Sequence, residues 1–134
     1  MRRLSLEVLP ESLSICRLPP DSTLPEVATR GSFWSVTKTD QELSIVTTSN
    51  QAPANCEQES GWRCMRVGGI LDFSLTGVIT AIATPLAQAG ISILPISTYE
   101  TDYLLVRDSD LENAISALKE AGHFVQDARV SKTS

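Results

Sequence analysis

Apolar residues recur at helical spacing over residues 76–89 of the chain. Ser74 or Thr76 is placed to cap the start of this predicted helix, and Gly90 is placed to end it. Pro85 lies late in the segment and has no N–H group, so the last turn should lack one backbone hydrogen bond and be slightly distorted. The pattern predicts one helix that begins directly after a strand.

A second helix is predicted between Ser109 and Gly122. The segment Ser-Asp-Leu-Glu at 109–112 matches a capping box, in which the first and last side chains each accept a backbone N–H group of the first turn. One apolar stripe follows and ends before Gly122, and it is formed by Leu111, Ala114, Ile115 and Leu118.

Segments rich in β-branched and aromatic residues flank these helices and predict strands. In the second half of the chain they cover 61–69, 91–98, 101–107 and the residues after Gly122, with a hairpin turn near 99–101. Pro95 cannot donate to a sheet ladder, so its strand should lie at an edge. This order of elements is that of a ferredoxin-like unit, with both helices on one face of an antiparallel sheet.

The first half of the chain has a similar but incomplete order of predicted elements. Predicted strands at 12–18, 32–39 and 42–48 surround a short helical segment at 24–30, and an extra N-terminal strand at 4–9 is expected to cover part of this half. The polar stretch 49–60 has no apolar stripe, so the second helix is missing there. A shift of sixty residues aligns residues 43–46 with 103–106, which indicates a duplication. We therefore predict an α+β fold of two ferredoxin-like (βαββαβ) units side by side, with a degenerate unit at 1–60 and a complete one at 61–134.

Charge and hydropathy exclude several classes of partner. The net charge is −5 and the eleven basic residues are scattered, which argues against nucleic acid as a partner. The longest apolar run, 78–87, is too short to cross a bilayer, and the N-terminus lacks the unbroken apolar region of a signal peptide. We expect a cytoplasmic protein with no membrane partner.

Cysteine and histidine give no sign of a metal or cofactor site. Cys16, Cys56 and Cys64 are odd in number and lack C-x-x-C spacing, which is typical of reduced thiols, and Cys16 and Cys64 are expected in buried strands. The single histidine, His123, follows a helix-ending glycine and begins a predicted strand, so a structural role is expected. We predict no metal, no cofactor and no catalytic residue.

The turn before the first helix has the composition of an anion site. Asp72, Ser74, Thr76 and Gly77 combine hydroxyl groups with a glycine at a helix start, where unpaired N–H groups and the helix dipole favour a carboxylate. The alternative is that Asp72 or Ser74 only caps the helix and that Gly77 only permits close packing.

Two further segments are candidates for ligand contact. Thr98 and Asp102 lie at the predicted hairpin together with Ser97 and Thr101, and Asp102 could pair with a ligand ammonium group; alternatively this hairpin tip only faces water. On the strand that contains Phe33 and Trp34, alternation predicts that Trp34 is in the core, whereas Ser35 and the neighbouring backbone face a ligand.

The segment DFSLTGVITAIATPLAQAGISILPISTYETDYLLV resembles the ACT domain, and GSFWSVTKTDQELSIVTT resembles the matching piece of a first ACT unit. The likeness covers about 13–125 and is closest to the tandem ACT units of the aspartokinase regulatory region and of CASTOR-type arginine sensors. It implies that a free amino acid binds at the junction of two ACT units. Matched by motif, the resemblance implies three groups of ligand-binding residues. The loop side would consist of Asp72, Leu75, Thr76, Gly77 and Val78, and the facing strand would supply Ser35 and Val36. Thr98 and Asp102 would contact the ligand's side chain or ammonium group.

The expected function is therefore that of a non-catalytic amino-acid sensor. With no effector domain in the chain, a signal would pass to a homo-oligomer, expected to be a dimer, or to a protein effector. Two alternatives remain. One is a small ferredoxin-like enzyme of the acylphosphatase kind, although the loop 72–77 has no basic residue and the nearest arginine is Arg66. The other is a dimerisation module that binds no ligand.

Overall fold

The computed structural model describes residues 3–68 and 77–129. Seven strands and two helices follow one another in the order β1 (Ser5–Leu18), β2 (Trp34–Lys38), β3 (Leu43–Thr48), β4 (Glu57–Val67), α1 (Val78–Gln88), β5 (Leu94–Ser97), β6 (Asp102–Arg107), α2 (Leu111–Glu120) and β7 (Phe124–Asp127). Short 3₁₀ turns lie at Glu26–Thr29, Ser49–Gln51 and Asp108–Asp110. None of the described helices has the length and apolarity needed to cross a membrane.

The chain forms two compact units. The larger unit combines Met1–Pro10 with Arg63–Ser134, and the smaller unit is Glu11–Trp62. Strands β1 and β4 contribute residues to both. The division of the chain into ACT-type units at 1–60 and 61–134 stays a prediction.

In the larger unit both helices pack against one face of the sheet, as the sequence predicts. Strand order is β7, β1, β4, β6, β5, so that β5, which contains Pro95, lies at the expected edge. A single apolar cluster joins alternate residues of β1, β4 and β6 to the buried stripes of the two helices, which are Val78, Ile82 and Leu86 on α1 and Leu111, Ala114, Ile115 and Leu118 on α2. Burial of this stripe, rather than helix propensity, stabilises such short helices.

Both helices end at a glycine, but neither begins as predicted. Gly90 and Gly122 have left-handed backbones, with φ of +75° and +94°, and the next residue's N–H bonds the carbonyl five positions back, which is a Schellman cap. Helix α1 begins at Val78 with Gly77 as its N-cap; Ser74 and Thr76, the predicted caps, lie outside the described residues. The capping box at 109–112 is wrong: a 3₁₀ turn precedes α2, and Asp110 at the N-cap makes no side-chain cap bond.

The N-terminal strand differs most from expectation. The segments predicted as two strands, 4–9 and 12–18, are one strand, β1. Its first residues pair in parallel with β7, from Ser5 opposite Phe124 to Val8 opposite Asp127, so they do not cover the first half, and the sheet is not purely antiparallel. Where Pro10 offers no N–H to the sheet, Arg63 Nη2 donates to the carbonyls of Leu9 and Pro10, both at 3.0 Å.

The smaller unit contains an antiparallel sheet and no α-helix. Strand β3 pairs with β2 on one side and with the second half of β1 on the other. The segment predicted as helical, 24–30, forms only the 3₁₀ turn Glu26–Thr29, where the buried Thr47 hydroxyl donates to the Ala28 carbonyl at 2.7 Å. The core cluster is small and consists of Cys16, Ala28, Leu43 and Ile45. Strand β4 begins at Glu57 rather than near Gly61. Its first residues are polar and exposed, so the hydrophobic pattern of the sequence did not predict them as a strand.

Candidate functional site

The start of α1 is open to solvent. Gly77 is exposed, its backbone is left-handed with φ +80°, and a Cβ added there would meet nothing within 4 Å. No side chain of the described residues caps this end, and the first turn carries no acidic residue. The Gly77 carbonyl accepts from the Ala81 N–H at 2.8 Å, so the helix is regular from its first turn. Its first N–H groups and its dipole therefore suit a negatively charged group.

Of the five residues predicted for the loop side, the structure describes two. Gly77 is the exposed N-cap and Val78 is buried in the core of the larger unit, with 7% of its surface exposed. Val78 can therefore offer a ligand its backbone N–H but not its side chain. Asp72, Leu75 and Thr76 lie outside the described residues.

The hairpin between β5 and β6 is held by its own polar groups. The Thr98 hydroxyl accepts from the Thr101 N–H at 3.2 Å and donates to the Thr101 carbonyl at 3.0 Å. Ser97 Oγ donates to Asp102 Oδ1 at 2.6 Å across the same pair of strands. Thr98 is exposed and Asp102 is half-buried. These contacts fit the alternative in which the tip stabilises itself, while the remaining carboxylate oxygen of Asp102 can still accept a ligand's N–H group.

One buried hydrogen bond attaches this hairpin to the strand that precedes the predicted loop. The Thr101 hydroxyl, 7% exposed, donates to the Val67 carbonyl at 2.6 Å. Gly68, the next residue, donates its N–H to the Ser5 carbonyl at 2.7 Å. The end of β4 is thus fixed beside the hairpin that carries Thr98 and Asp102.

Ser35 and Val36 lie on β2 of the smaller unit. They pair with Val46 and Ile45 of β3, and both are half-buried. Val36 packs against the small core cluster, so Ser35 faces the other side of the strand. The prediction that Trp34 is a core residue is wrong, because 45% of its surface is exposed. Its strand pairs on one side only among the described residues, and the small cluster leaves the indole uncovered.

The predicted residues thus form three groups. Thr98 and Asp102 share a hairpin, Gly77 and Val78 share a helix start in the same larger unit, and Ser35 and Val36 share a strand of the smaller unit. Their joint role in binding stays a prediction.

Two open cavities were not foreseen from the sequence. One, of about 570 Å³ in the larger unit, is lined by Glu7, Arg66, Lys119 and Phe124, and Arg66 pairs with Glu7 at 3.3 Å. The other, of about 450 Å³ in the smaller unit, is lined by Arg30, Gly31, Thr48 and Ser49. The residues that line each cavity are far apart in the sequence and share no motif, so the sequence pattern could not predict the cavities. Of the predicted ligand-binding residues that the structure describes, none lines either cavity.

His123 has the structural role expected from its position. It is 4% exposed, its Nδ1 accepts from the Leu4 N–H at 3.1 Å, and its Nε2 lies 3.0 Å from the Ala81 carbonyl. These partners assign the neutral tautomer with the proton on Nε2. Both ring nitrogens are occupied, and the described part of the chain contains no group of three or more side chains suited to a metal ion.

Charged residues fix the C-terminal end of the described chain. The Arg129 guanidinium donates to both carboxylate oxygens of Asp127 and, at 2.9 Å, to Glu112 of α2. Side-chain hydrogen bonds from Arg129 hold the pKa of Asp127 below its usual value, outweighing the opposing effect of burial. This network links the end of β7 to α2.

Comparison with known proteins places this geometry in a family. The ACT-domain model matches residues 57–120, and the model of an N-terminal domain of another family matches residues 11–55. The crystal structure of protein Atu0741 from Agrobacterium tumefaciens is 35% identical, with a TM-score of 0.92 and all of both chains covered.

More distant similarities involve regulatory proteins. The cytosolic arginine sensor for mTORC1 subunit 1 of Mus musculus is 30% identical over 101 residues, which are 68% of this chain and 30% of the sensor. The chain thus spans about a third of the length of the curated relatives it matches. The ligand-free regulatory subunit of aspartate kinase from Thermus thermophilus shares the fold, with a TM-score of 0.60 at 14% identity over 83% of this chain and 93% of that subunit.

Proposed function

Since this chain belongs to the ACT-domain family, we propose that it is a regulatory protein that binds a free amino acid and catalyses no reaction. The observation that carries the proposal is the open start of α1, where a left-handed glycine leaves the first-turn N–H groups uncapped by the described residues. Such a helix end stabilises a carboxylate by hydrogen bonds and by the helix dipole.

The proposal gives each predicted residue a role. The loop side consists of Asp72, Leu75, Thr76, Gly77 and Val78 and holds the ligand's carboxylate. Asp102, with Thr98 beside it, binds an ammonium or other cationic group. Ser35 and Val36 contribute strand backbone and the Ser35 hydroxyl.

Repetition within the chain supports the two-unit organisation that is part of the proposal. In the smaller unit β2, β3 and the 3₁₀ turn Ser49–Gln51 follow one another, and in the larger unit β5, β6 and the 3₁₀ turn Asp108–Asp110 do so about sixty residues later. A duplicated unit would produce this match of element order and spacing. The first copy, which has no α-helix among its described residues, would be the degenerate one.

A cationic amino acid is the first ligand to test. A relative is named as an arginine sensor, and Asp102 would supply this chain with a carboxylate for a guanidinium or ammonium group. The signal would arise because the ligand binds one conformation or assembly more tightly than another, and it would pass to a dimer or a protein effector.

The direct test is a thermal-shift and calorimetric screen of the full chain against the twenty amino acids. We expect at least one ligand with a Kd below about 1 mM, which corresponds to roughly 4 kcal/mol of binding free energy. If none of the twenty stabilises the protein, the proposal fails and a module that binds no ligand becomes the better description.

Two glycines of one helix give a matched test of the loop side. Gly77→Ala and Gly90→Ala both place a Cβ on a left-handed backbone in open space, so each should lower the free energy of unfolding by about 1–2 kcal/mol. Only Gly77→Ala should weaken binding of the amino acid found in the screen, by about tenfold or more, since its methyl group enters the carboxylate site. Equal affinities of the two variants would place the ligand elsewhere.

Asp102 and Ser97 separate ligand binding from hairpin stability. Asp102→Asn keeps an oxygen that accepts from Ser97 but removes the charge, whereas Ser97→Ala removes the internal hydrogen bond and keeps the charge. We expect Asp102→Asn to reduce ligand affinity at least tenfold and Ser97→Ala to change it little, as measured by calorimetry. A loss of affinity confined to Ser97→Ala would show that the contact only shapes the hairpin.

A further inference from the structure

Two cysteines meet in the core of the smaller unit. Cys16 lies on β1 and is fully buried, and Cys56, just before β4, is half-buried and packs against the same apolar cluster. The two side chains are close enough that Cys56 adds to the effect of burial in raising the pKa of the Cys16 thiol. Cys64 belongs to the larger unit, where its thiol is directed to the Met65 carbonyl at 3.9 Å.

We propose that Cys16 and Cys56 form a reversible disulfide within the smaller unit when the protein meets a peroxide. The two thiols are free, share one apolar cluster and are unequally exposed, which is the arrangement of a reacting cysteine beside a resolving one. The site is independent of the proposed amino-acid ligand, because neither cysteine is among the residues assigned to it.

The turn around Cys56 holds its sulfur in a defined position. Asn55 adopts a left-handed backbone, with φ +62°, which asparagine tolerates better than most residues. The Gln58 side-chain amide bonds the Pro53 carbonyl at 3.2 Å and lies 3.9 Å from Cys56 Sγ. The Cys56 thiol donates to the same Pro53 carbonyl at 3.4 Å, so these contacts hold the sulfur beside the core cluster.

Burial decides which cysteine reacts first. Desolvation, followed by the neighbouring Cys56, raises the pKa of Cys16 to about 11. Cys16 is therefore protonated at neutral pH and hidden from solvent, so the half-exposed Cys56 meets the oxidant first. Cys16 then acts as the resolving thiol, and its ionisation limits the second step.

The chemistry is balanced with hydrogen peroxide as the oxidant. The Cys56 thiolate attacks one peroxide oxygen, the O–O bond breaks, and the products are Cys56 sulfenic acid and hydroxide, which takes up a proton to become water. The Cys16 thiolate then attacks Cys56 Sγ and displaces the sulfenic oxygen as a second water after protonation. Two thiols lose two hydrogens in total, and one peroxide is reduced to two waters.

The cross-link would stiffen the part of the protein with the smallest core. It joins β1 to the turn before β4 and closes a long loop, which removes conformations from the unfolded chain. We therefore expect oxidation to raise the unfolding temperature and a dithiol reductant to return it to the starting value.

Peptide mapping of the whole 134-residue chain tests the proposal. Cleavage after lysine and arginine separates the three cysteines into peptides 4–17, 39–63 and 64–66. After treatment with hydrogen peroxide and digestion without reductant, we expect peptides 4–17 and 39–63 to be joined, with the mass of two hydrogens lost. Cys64→Ser should give the same product, and Cys56→Ser should give none.

Other products would overturn the proposal. These are sulfinic acid on Cys56 without a cross-link, a cross-link to peptide 64–66, or a covalent dimer as the main species. Cys56→Ser changes a half-buried side chain and is the variant of choice, since replacing the buried Cys16 could disturb folding.

Discussion

At the scale of single residues, the smaller unit contains one very close contact between backbone and side chain. A Cβ built on Gly31 would lie 2.3 Å from Thr48 Oγ1 and 3.2 Å from Thr48 Cγ2. Thr48 is 4% exposed, and its hydroxyl has no hydrogen-bond partner in the structure. Glycine at position 31 is thus required by space and not by a left-handed backbone.

Gly31→Ala should therefore destabilise the protein by about 1–3 kcal/mol, the usual cost of overpacking a filled position. Thr48→Ala removes the two closest atoms, leaving Cβ at 3.3 Å, and also removes a buried hydroxyl without a partner. The double variant should then lose less stability than Gly31→Ala alone, as measured by urea unfolding. Strict additivity of the two substitutions would show that the two side chains do not compete for this space.

The sequence could not reveal this contact, nor the exposure of Trp34. Gly31 and Thr48 lie on different elements, and only the tertiary structure brings them together. Trp34 alternates correctly with Val36 along β2, but the cluster beneath the strand is too small to cover an indole. Pattern gives the face of a strand on which a residue lies, whereas burial depends on what packs against that face.

At the scale of elements, one histidine replaces a hydrogen bond that a proline removes from α1. Pro85 has no N–H, so the Ala81 carbonyl four positions earlier receives no helical bond. His123 Nε2 lies 3.0 Å from that carbonyl, while Nδ1 accepts the N–H of Leu4. The ring thereby joins α1, the residue before β1 and the residue before β7.

His123→Ala should lower the free energy of unfolding by roughly 1–3 kcal/mol, because it leaves a part-buried carbonyl and a part-buried N–H without the ring as partner. In a Pro85→Ala background the helix supplies its own N–H to Ala81, so the same substitution should cost about 1 kcal/mol less. Pro95→Ala, which removes a proline from β5 of the same unit, is the control and should show additive behaviour. If the Pro85 background gives additivity too, the histidine does not compensate for the proline.

Helices were easier to predict than strand boundaries, for a physical reason. The stripe of α2 is buried as its spacing indicates, and the glycines that end both helices act through their own backbone conformation. In β1, by contrast, two carbonyls at the proline accept hydrogen bonds from Arg63, which lies far away in the sequence. Likewise the start of β4 consists of exposed polar residues whose strand conformation comes from pairing and not from a hydrophobic pattern.

At the scale of the whole molecule, the family was predictable from the sequence, and the site only in part. Two parts of the predicted site follow from neighbouring residues in the sequence. These are the hairpin with Thr98 and Asp102 and the glycine at the start of α1, and the structure contains both. The Thr101–Val67 hydrogen bond that attaches this hairpin to β4 could not be read from sequence, since its partners are distant along the chain. Where a ligand binds depends on many such contacts, so the site residues stay a prediction.

Overall stability should depend on pH through Asp127. Its pKa is lowered in the folded state, chiefly by hydrogen bonds from Arg129 and with a smaller contribution from the charge of Arg63, and its side chain is only 17% exposed. A carboxylate with a lowered folded-state pKa stabilises the protein above its unfolded-state pKa, and this contribution is lost as the pH falls through the folded-state value. Asp127→Asn should therefore cost about 1 kcal/mol at pH 7, and the difference from the wild type should vanish as the solution is acidified below the folded-state pKa. Urea unfolding followed by circular dichroism between pH 7 and pH 2 measures this difference.

Asp21→Asn, at an exposed acid of the smaller unit, is the control and should change stability little at any pH. A deficit of Asp127→Asn that persists unchanged at pH 2 would mean that the asparagine disturbs packing and that the charge on Asp127 is not the source of the stability.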